Sequence, residues 1–311
     1  MIKKVEGEMN GTKEMSEKHF IDAKILNDYL ENNIDAYEGP LNIEEFIGGQ
    51  SNPTYLLKTP SASYVLRRKP PGNLLKSAHA VDREYRVISA LNNTNVPVPK
   101  AYLHCEDECL IGTEFFVMEF INGSVIWDPD IPHGTNSDRT QIYESMNKTI
   151  KRLHKVDPIK IGLEDFGKPG NYVGRQVARW SKQYELSETE KIPAMDSLIQ
   201  WLPKNLPSEK PTRLVHGDFS LTNVIVNNDS NEIASILDWE LSTLGDPIAD
   251  FSYHCLRYLD NPVLSNEQEC LRLGIPTYKD YVKMYFEGSD FDIKPDEWNL
   301  YMAFNLSLIH I

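Results

Sequence analysis

The spacing of apolar residues along the chain changes character near Gly123. Before that point, short apolar or alternating runs predict strands, whereas apolar residues at helical spacing predict helices over most of the remainder. The predicted strands of the first part span 41–46, 55–58, 64–69 and 114–121, and its predicted helices span 20–30 and about 81–91. Further helices are predicted at about 137–154, 173–184, 193–202 and 247–259. The pattern therefore indicates an α+β protein whose sheet precedes a mainly helical region.

Composition bounds the classes of function. The chain has 311 residues, of which 41% are hydrophobic, so it is long enough for a large core and two lobes or domains. Its net charge of −14 disfavours nucleic acid as a partner, because phosphate binding needs clustered cations. Since no long apolar run exists and the first residues are charged, we expect no membrane span, no secretion and a cytoplasmic location. The scattered cysteines are typical of free thiols.

The segment 214–223, together with 236–240, carries the densest group of candidate catalytic residues. An apolar strand leads into a polar loop that contains Asp218 and Asn223, and a second apolar strand ends at Asp238. Two carboxylates and one amide at such ends offer hard oxygen ligands for Mg²⁺, which usually shares its site with substrate phosphates. Taken alone, an Asp before Phe and Ser is more typical of an Asx turn or a helix cap.

The spacing within this segment matches the catalytic loop of protein kinases, where four residues separate Asp from Asn and a metal-binding Asp follows later. In that template the first Asp accepts the proton of the attacking hydroxyl, and the other two residues hold metal against the nucleotide phosphates. We therefore predict that Asp218 is the catalytic base and that Asn223 and Asp238 are metal ligands. His216 stands in register with these positions and strengthens the match.

Two charged residues of the first part fit the same template. Arg67, near the end of a predicted strand, stands where a kinase has the lysine that pairs with nucleotide phosphates and with a helix glutamate. Glu84 lies beside the apolar face of the next helix, where it can point toward the sheet. Each residue alone is more simply explained as a solvated charge. Their order along the chain, strand cation and then helix glutamate, favours a nucleotide site.

Backbone groups complete the predicted nucleotide site. A glycine-containing turn between the first two strands could cover the phosphates with backbone amides, although alone such a turn is more often only a hairpin. Its candidate residues are Gly48, Gly49, Ser51 and Asn52. The strand 114–121 runs toward the helical part of the chain, so Glu119 and Ile121 are candidates to offer backbone C=O and N–H groups to an adenine edge.

Together these segments resemble the aminoglycoside phosphotransferase and choline kinase-like superfamily, and most nearly the kinase-like domains associated with acyl-CoA dehydrogenases. The resemblance covers about 46–305 and includes the segments GQSNPTY (49–55), VLRRKPPG (65–72), HAVDREY (79–85) and LDWELSTLGDP (237–247). It implies a bilobal protein kinase-like fold with a small antiparallel-sheet N-lobe (19–121), a mainly helical C-lobe (122–311) and a loose N-terminal extension (1–18).

The resemblance also implies a chemistry. ATP and Mg²⁺ are the expected cofactors, and the γ-phosphoryl group is expected to pass to an alcohol hydroxyl of a small molecule. For the subgroup associated with acyl-CoA dehydrogenases, the implied acceptors are hydroxy fatty acids or hydroxyacyl-CoA thioesters, with a functional link to such a dehydrogenase. The chain departs from protein kinases in its glycine turn, which is not Gly-x-Gly-x-x-Gly, and in the Arg that replaces the strand Lys.

Other acceptors and an inert protein remain alternatives. Only eight residues separate Asp238 from Pro247, which leaves no room for a protein kinase's activation segment and favours a small-molecule acceptor. An aminoglycoside or a choline-like amino alcohol is an alternative acceptor, and a catalytically weak pseudokinase-like nucleotide-binding module is an alternative function. Asp246 is expected to begin a helix, and Asp250 has no assigned role. The residues 306–311 match the translation of a transposon-end sequencing adapter, so a truncated C-lobe is also expected.

Overall fold

The computed structural model describes residues 11–16, 19–47, 52–72 and 80–309, with side chains as far as residue 306. Contacts divide the chain into two compact units. We call Met1–Ile126 with Val224–Glu240 the sheet unit, and Trp127–Asn223 with Leu241–Ile311 the helical unit. The α+β class is confirmed by these elements, whereas the lobe boundaries stay predictions.

Both units contain strands and helices. In chain order, the strands are β1 (Thr12–Lys13), β2 (Asn42–Phe46), β3 (Thr54–Lys58), β4 (Ser63–Arg68), β5 (Ala101–Cys105), β6 (Phe115–Glu119), β7 (Arg213–Val215), β8 (Val224–Val226), β9 (Ile233–Ile236) and β10 (Thr243–Gly245). The helices are α1 (Ala23–Asn33), α2 (Val81–Leu91), α3 (Glu108–Ile111), α4 (Asn136–Lys155), α5 (Tyr172–Ser187), α6 (Pro193–Trp201), α7 (Pro247–Cys255), α8 (Arg257–Asp260), α9 (Glu267–Leu273), α10 (Tyr278–Phe286) and α11 (Pro295–Ile309).

The sheet unit is built around one antiparallel sheet with the strand order β1-β2-β3-β4-β6-β5. Its central strands carry apolar residues that are buried, including Leu57 on β3 and Leu66 on β4. Helix α1 packs Leu26 and Leu30 into the same core. Its first turn is capped by Asp22, whose side chain accepts two backbone N–H groups. A small hairpin of β8 and β9 belongs to this unit, with Val224 paired to Ile236.

Helix α2 presents a charged residue on its buried face. Val81, Val87, Ile88 and Leu91 are buried at helical spacing, and Glu84 lies among them on the same face. A buried carboxylate on an otherwise apolar face needs a partner, because burial of an unpaired charge costs several kcal/mol. The position of Glu84 therefore follows from the periodicity of the helix. Its partner is Arg67, one of the candidate nucleotide-binding residues.

The helical unit packs aromatic side chains of α7 and α10 together. The rings of Phe251 and Tyr285 stack with centroids 3.7 Å apart, and both side chains are buried. The short strand β7 pairs with β10, Val215 lying opposite Thr243. In the described residues, every helix is too short or too polar to cross a membrane.

Candidate functional site

Asp218 and Asn223 are joined within the loop that follows β7. The side-chain nitrogen of Asn223 donates to the Asp218 carboxylate (2.9 Å to Oδ2) and to its backbone carbonyl (2.8 Å). Because the amide nitrogen serves both bonds, the amide oxygen of Asn223 takes no part in them. The structure thus brings the predicted base and one predicted metal ligand into direct contact.

Gly217 lets this loop turn tightly after the strand. Its φ is +88°, which L side chains rarely adopt, and an added Cβ would lie 2.8 Å from the carbonyl oxygen of Leu241. The next residue donates its backbone N–H to the ring of His216, at 3.2 Å from Nδ1. Nδ1 therefore acts as the acceptor, and the buried ring of His216 supports the loop from within.

Asp250 anchors the backbone just before the predicted base. Its carboxylate accepts the backbone N–H groups of His216 (2.9 Å) and Gly217 (2.8 Å). Burial alone would raise the pKa of Asp250, but hydrogen bonds from His154 and from the His216 backbone hold that pKa below its usual value. The sequence left this residue without a role, although a charge between the apolar residues of a buried helix always needs a partner.

Asp246, by contrast, does what the sequence predicts. It precedes Pro247 and caps α7, accepting the backbone N–H of Ile248 at 2.8 Å. Its second oxygen accepts the hydroxyl of Tyr301 at 2.6 Å. Asp246 therefore orients the helix that carries Asp250.

In the sheet unit, Arg67 lies between two carboxylates. Its Nε is 2.8 Å from Oε2 of Glu84, and its Nη2 donates to Oδ1 of Asp238 at 2.9 Å. The first contact is an ion pair whose N–H is not aligned with the oxygen, so neither atom has a directed hydrogen bond there. Three predicted site residues from three separate segments are thus in one cluster.

The electrostatics of this cluster follow from burial. Only 2% of the Glu84 side chain is exposed, and burial raises its pKa to about 7 although Arg67 acts in the opposite sense. Burial disfavours the charge of Arg67, but the carboxylates of Glu84 and Asp238 outweigh it and raise the pKa of the guanidinium. Arg67 therefore stays cationic and offsets the charge of the Glu84 and Asp238 carboxylates.

Asp238 adopts a left-handed backbone conformation, with φ of +59°. Asp tolerates this conformation better than most residues, yet it costs on the order of 1 kcal/mol. The following residue, Trp239, donates its backbone N–H to Glu84. The turn after β9 is therefore fastened to α2, which sets the position of the Asp238 carboxylate.

The predicted metal ligands have suitable chemistry for Mg²⁺. Asn223 directly precedes β8 and Asp238 follows β9 by two residues, and each offers an oxygen donor. Within the described ranges no cluster of three or more His, Cys, Asp or Glu residues could hold a metal by itself. Because Mg²⁺ usually takes further oxygens from water and substrate phosphates, a residue with one oxygen donor can serve it without a cluster of protein ligands.

The remaining predicted residues are placed unevenly. Gly48, Gly49 and Ser51 lie outside the described residues. Asn52 is fully buried just before β3, and its carbonyl accepts the hydroxyl of Thr54 at 3.0 Å.

Glu119 ends β6, and its backbone N–H already donates to the carbonyl of Lys100 at 2.8 Å, so only its C=O could serve an adenine edge. Ile121 is half-buried beyond that strand. The nucleotide contacts of Asn52, Glu119 and Ile121 stay predictions.

Comparisons with known proteins show what the chain is similar to. The profile of the family described as "Phosphotransferase enzyme family" matches residues 42–278. Acyl-CoA dehydrogenase family member 10 of Mus musculus is 48% identical over 273 residues, which are 86% of this chain and 25% of that protein. The chain thus spans about a quarter of the length of this relative.

Solved structures show the same fold. The crystal structure of a candidate aminoglycoside phosphotransferase from Ralstonia eutropha JMP134 has a TM-score of 0.85 and 44% sequence identity, and the match covers 93% of this chain and 87% of that one. The streptomycin-ATP-APH(2")-IIa ternary complex is only 20% identical, with a TM-score of 0.54 over 76% of each chain, and shows likeness of fold alone.

Proposed function

Because this chain belongs to the phosphotransferase enzyme family, we propose that it is a small-molecule kinase that transfers the γ-phosphoryl group of ATP to an alcohol hydroxyl. The observation that carries the proposal is the cluster of Arg67 with Glu84 and Asp238, whose members are far apart in the sequence. The second carboxylate, that of Asp238, belongs to a partly exposed turn. This favours a role for Arg67 in phosphate binding over a purely structural ion pair.

Asp218 is the proposed base. The acceptor hydroxyl would pass its proton to the Asp218 carboxylate while its oxygen forms the new bond to the γ-phosphorus and the bond to the β-γ bridging oxygen breaks, releasing ADP. Asn223 restrains this carboxylate through the 2.9 Å hydrogen bond, so it is oriented before the acceptor arrives. Asp250 restrains the backbone before Asp218 by accepting the N–H of Gly217.

Arg67 is proposed to bind the nucleotide phosphates. The guanidinium has five N–H donors, and the contacts with Glu84 and Asp238 use two of its three nitrogens. Its planar fork suits phosphate oxygens, and its charge would stabilise the negative charge that spreads over the γ-phosphoryl group. Asn223 and Asp238 would hold Mg²⁺, which when bound neutralises phosphate charge.

The acceptor is proposed from relatives. Acyl-CoA dehydrogenase family member 10 is named for a reaction on acyl-CoA, so a hydroxy fatty acid or a hydroxyacyl-CoA is the first acceptor to test. A functional link with an acyl-CoA dehydrogenase and a cytoplasmic location are parts of the same proposal. Aminoglycosides and choline-like amino alcohols are the alternative acceptors.

A pseudokinase-like nucleotide-binding module is the second candidate function. One feature of the same cluster favours it: Arg67 already engages Oδ1 of Asp238, a carboxylate that the kinase reaction would need for metal. The two functions differ in turnover and agree in nucleotide binding, so one experiment separates them.

The experiment incubates the protein with Mg²⁺-ATP and a panel of hydroxy acids, hydroxyacyl-CoAs, choline and aminoglycosides. ADP release and product mass are measured for each acceptor. We expect acceptor-dependent phosphorylation that Asp218→Ala abolishes while ATP binding, followed by thermal shift, is nearly unchanged. Phosphorylation by Asp218→Ala at the wild-type rate would refute the base, and ATP binding with no turnover on any acceptor would favour the pseudokinase.

A further inference from the structure

Two buried histidines of the helical unit reach the loop that carries Asp218. His254, on α7, lies with Nδ1 2.9 Å from the backbone carbonyl oxygen of Phe219. His154, on α4, lies with Nε2 3.0 Å from Oδ2 of Asp250, the residue that accepts the loop's N–H groups. One histidine thus contacts the backbone just after the proposed base, and the other acts through Asp250 on the backbone just before it.

The second ring nitrogen of each histidine contacts the hydroxyl of a tyrosine on α10. The hydroxyl of Tyr281 is 2.8 Å from Nε2 of His254, and the hydroxyl of Tyr285 is 2.7 Å from Nδ1 of His154. The two tyrosines are four residues apart, so one helix face presents both. All four side chains are buried, which excludes water as a competing partner.

The contacts place the donor hydrogen on different nitrogens of the two rings. A carbonyl oxygen can only accept, so Nδ1 of His254 carries the proton. Burial lowers the pKa of His254 to about 4, so the ring is neutral and its Nε2 accepts the Tyr281 hydroxyl. In His154 the nitrogen that faces the carboxylate of Asp250 is Nε2, so that nitrogen is the donor.

We propose that His254 and His154, each fixed by a tyrosine of α10, are positioning residues that hold the backbone on both sides of Asp218. The inference rests on the proposed function, because it assigns these residues to the placement of the base. Both ring nitrogens of each histidine are engaged by protein groups, so neither residue is assigned a part in proton transfer. Their effect is on the geometry from which Asp218 takes the proton, where a displacement of about 1 Å can cost on the order of 100-fold in rate.

Because the two rings donate from different nitrogens, a matched test is available. An Asn side chain places its nitrogen near the position of Nδ1, and a Gln side chain near that of Nε2. His254→Asn therefore keeps a donor for the Phe219 carbonyl, whereas His254→Gln loses it. At residue 154 the order is reversed, since His154→Gln keeps a donor for Asp250 and His154→Asn loses it.

Two readouts are measured on the full chain. The first is kcat and KM with Mg²⁺-ATP and the acceptor found in the panel. We expect kcat to fall by about 10- to 100-fold in His254→Gln and His154→Asn, with KM for ATP unchanged, and to fall much less in the two matched variants. The second is hydrogen exchange of the peptide covering residues 214–224, expected to be about 10-fold faster in the same two variants.

The proposal is decided by the crossover, by which we mean that Asn is the milder substitution at residue 254 and Gln at residue 154. A role in packing alone predicts that Asn is worse than Gln at both positions, because Asn leaves the larger void; that result overturns the proposal, as does equal behaviour of all four variants. If the histidine variants do not fold, Tyr281→Phe and Tyr285→Phe remove one hydroxyl each and carry the same exchange test. Unchanged exchange in both would overturn the proposal.

The exchange readout needs no turnover, so the two proposals fail separately. Absence of phosphorylation in the wild type refutes the kinase and leaves the exchange crossover to judge the positioning of the loop. A ¹⁵N spectrum of histidine-labelled protein adds an independent check. We expect the neutral Nδ1–H form for His254, and finding its proton on Nε2 would overturn the assignment.

Discussion

The ion pairs of Arg67 make the most direct prediction for stability. Its side chain is 12% exposed, the Glu84 carboxylate is 2% exposed, and the two charges are 2.8 Å apart. Above pH 7, where Glu84 is ionised, Arg67→Met leaves that carboxylate buried without its cation, and removal of one partner from such a pair costs about 3–5 kcal/mol. The contact with Asp238 adds little to this figure, because that side chain is 34% exposed and solvent screens it.

The cost should be recovered by neutralising the partner. Glu84→Gln removes the charge but keeps an oxygen that can accept the Trp239 backbone N–H. We expect the double variant Arg67→Met/Glu84→Gln to unfold within about 2 kcal/mol of the wild type, because replacing both members of a buried pair is often nearly neutral. Since the coupling free energy is the sum of the two single costs minus the cost of the double variant, it would then be at least about 1–3 kcal/mol.

Urea denaturation followed by far-UV circular dichroism gives the free energies of unfolding for the cycle. Arg68→Met is the matched control, since Arg68 is also buried on the same strand but donates to the carbonyl of Ile111 and not to a carboxylate. Glu84→Gln should not rescue it. A cost below about 1 kcal/mol for Arg67→Met, or no recovery in the double variant, would refute the buried pair.

Three further predictions concern the loop of Asp218 and its supports. The unfolded chain takes up a proton on His254 near pH 6.5 but the folded chain only near pH 4, so the free energy of unfolding should fall by up to about 3 kcal/mol as the pH is lowered from 6.5 to 4. The His254→Asn variant should lack this dependence in an acid titration. Gly217→Ala should lower stability by about 1–3 kcal/mol in thermal unfolding, because of its φ and the nearby Leu241 carbonyl. Asp250→Ala should cost about 3–5 kcal/mol and speed exchange of the His216 amide.

The sequence predicted the parts of the site whose residues follow a local pattern. The helical spacing of apolar residues placed Glu84 on a buried face, and a short apolar run placed Arg67 near the end of a strand whose pairing with β3 and β6 is observed. The spacing of Asp218 and Asn223 is short enough for one loop to join them. In these cases the side chain's position is set mainly by its own element, so the pattern carried the information.

The supports of the loop could not be predicted in the same way. His154 and Asp250 are 96 residues apart, and His154 and Tyr285 are 131 apart. Their hydrogen bonds depend on how α4, α7 and α10 pack together, which no local period encodes. The sequence alone therefore places His154 only at the end of a predicted helix, whereas the structure shows it buried and bonded at both ring nitrogens.

A general rule connects the two cases. Buried polar groups are almost always hydrogen-bonded, so a charged residue on a helix whose neighbours are all apolar implies a partner even when the partner is unknown. Helix α7 is such a helix, since Ile248, Ala249 and Phe251 flank Asp250 and all are buried. Applied to α7, the reasoning that singled out Glu84 would have singled out Asp250 as well. What periodicity cannot supply is the partner, because the same buried carboxylate serves a cation in the sheet unit and backbone N–H groups in the helical unit.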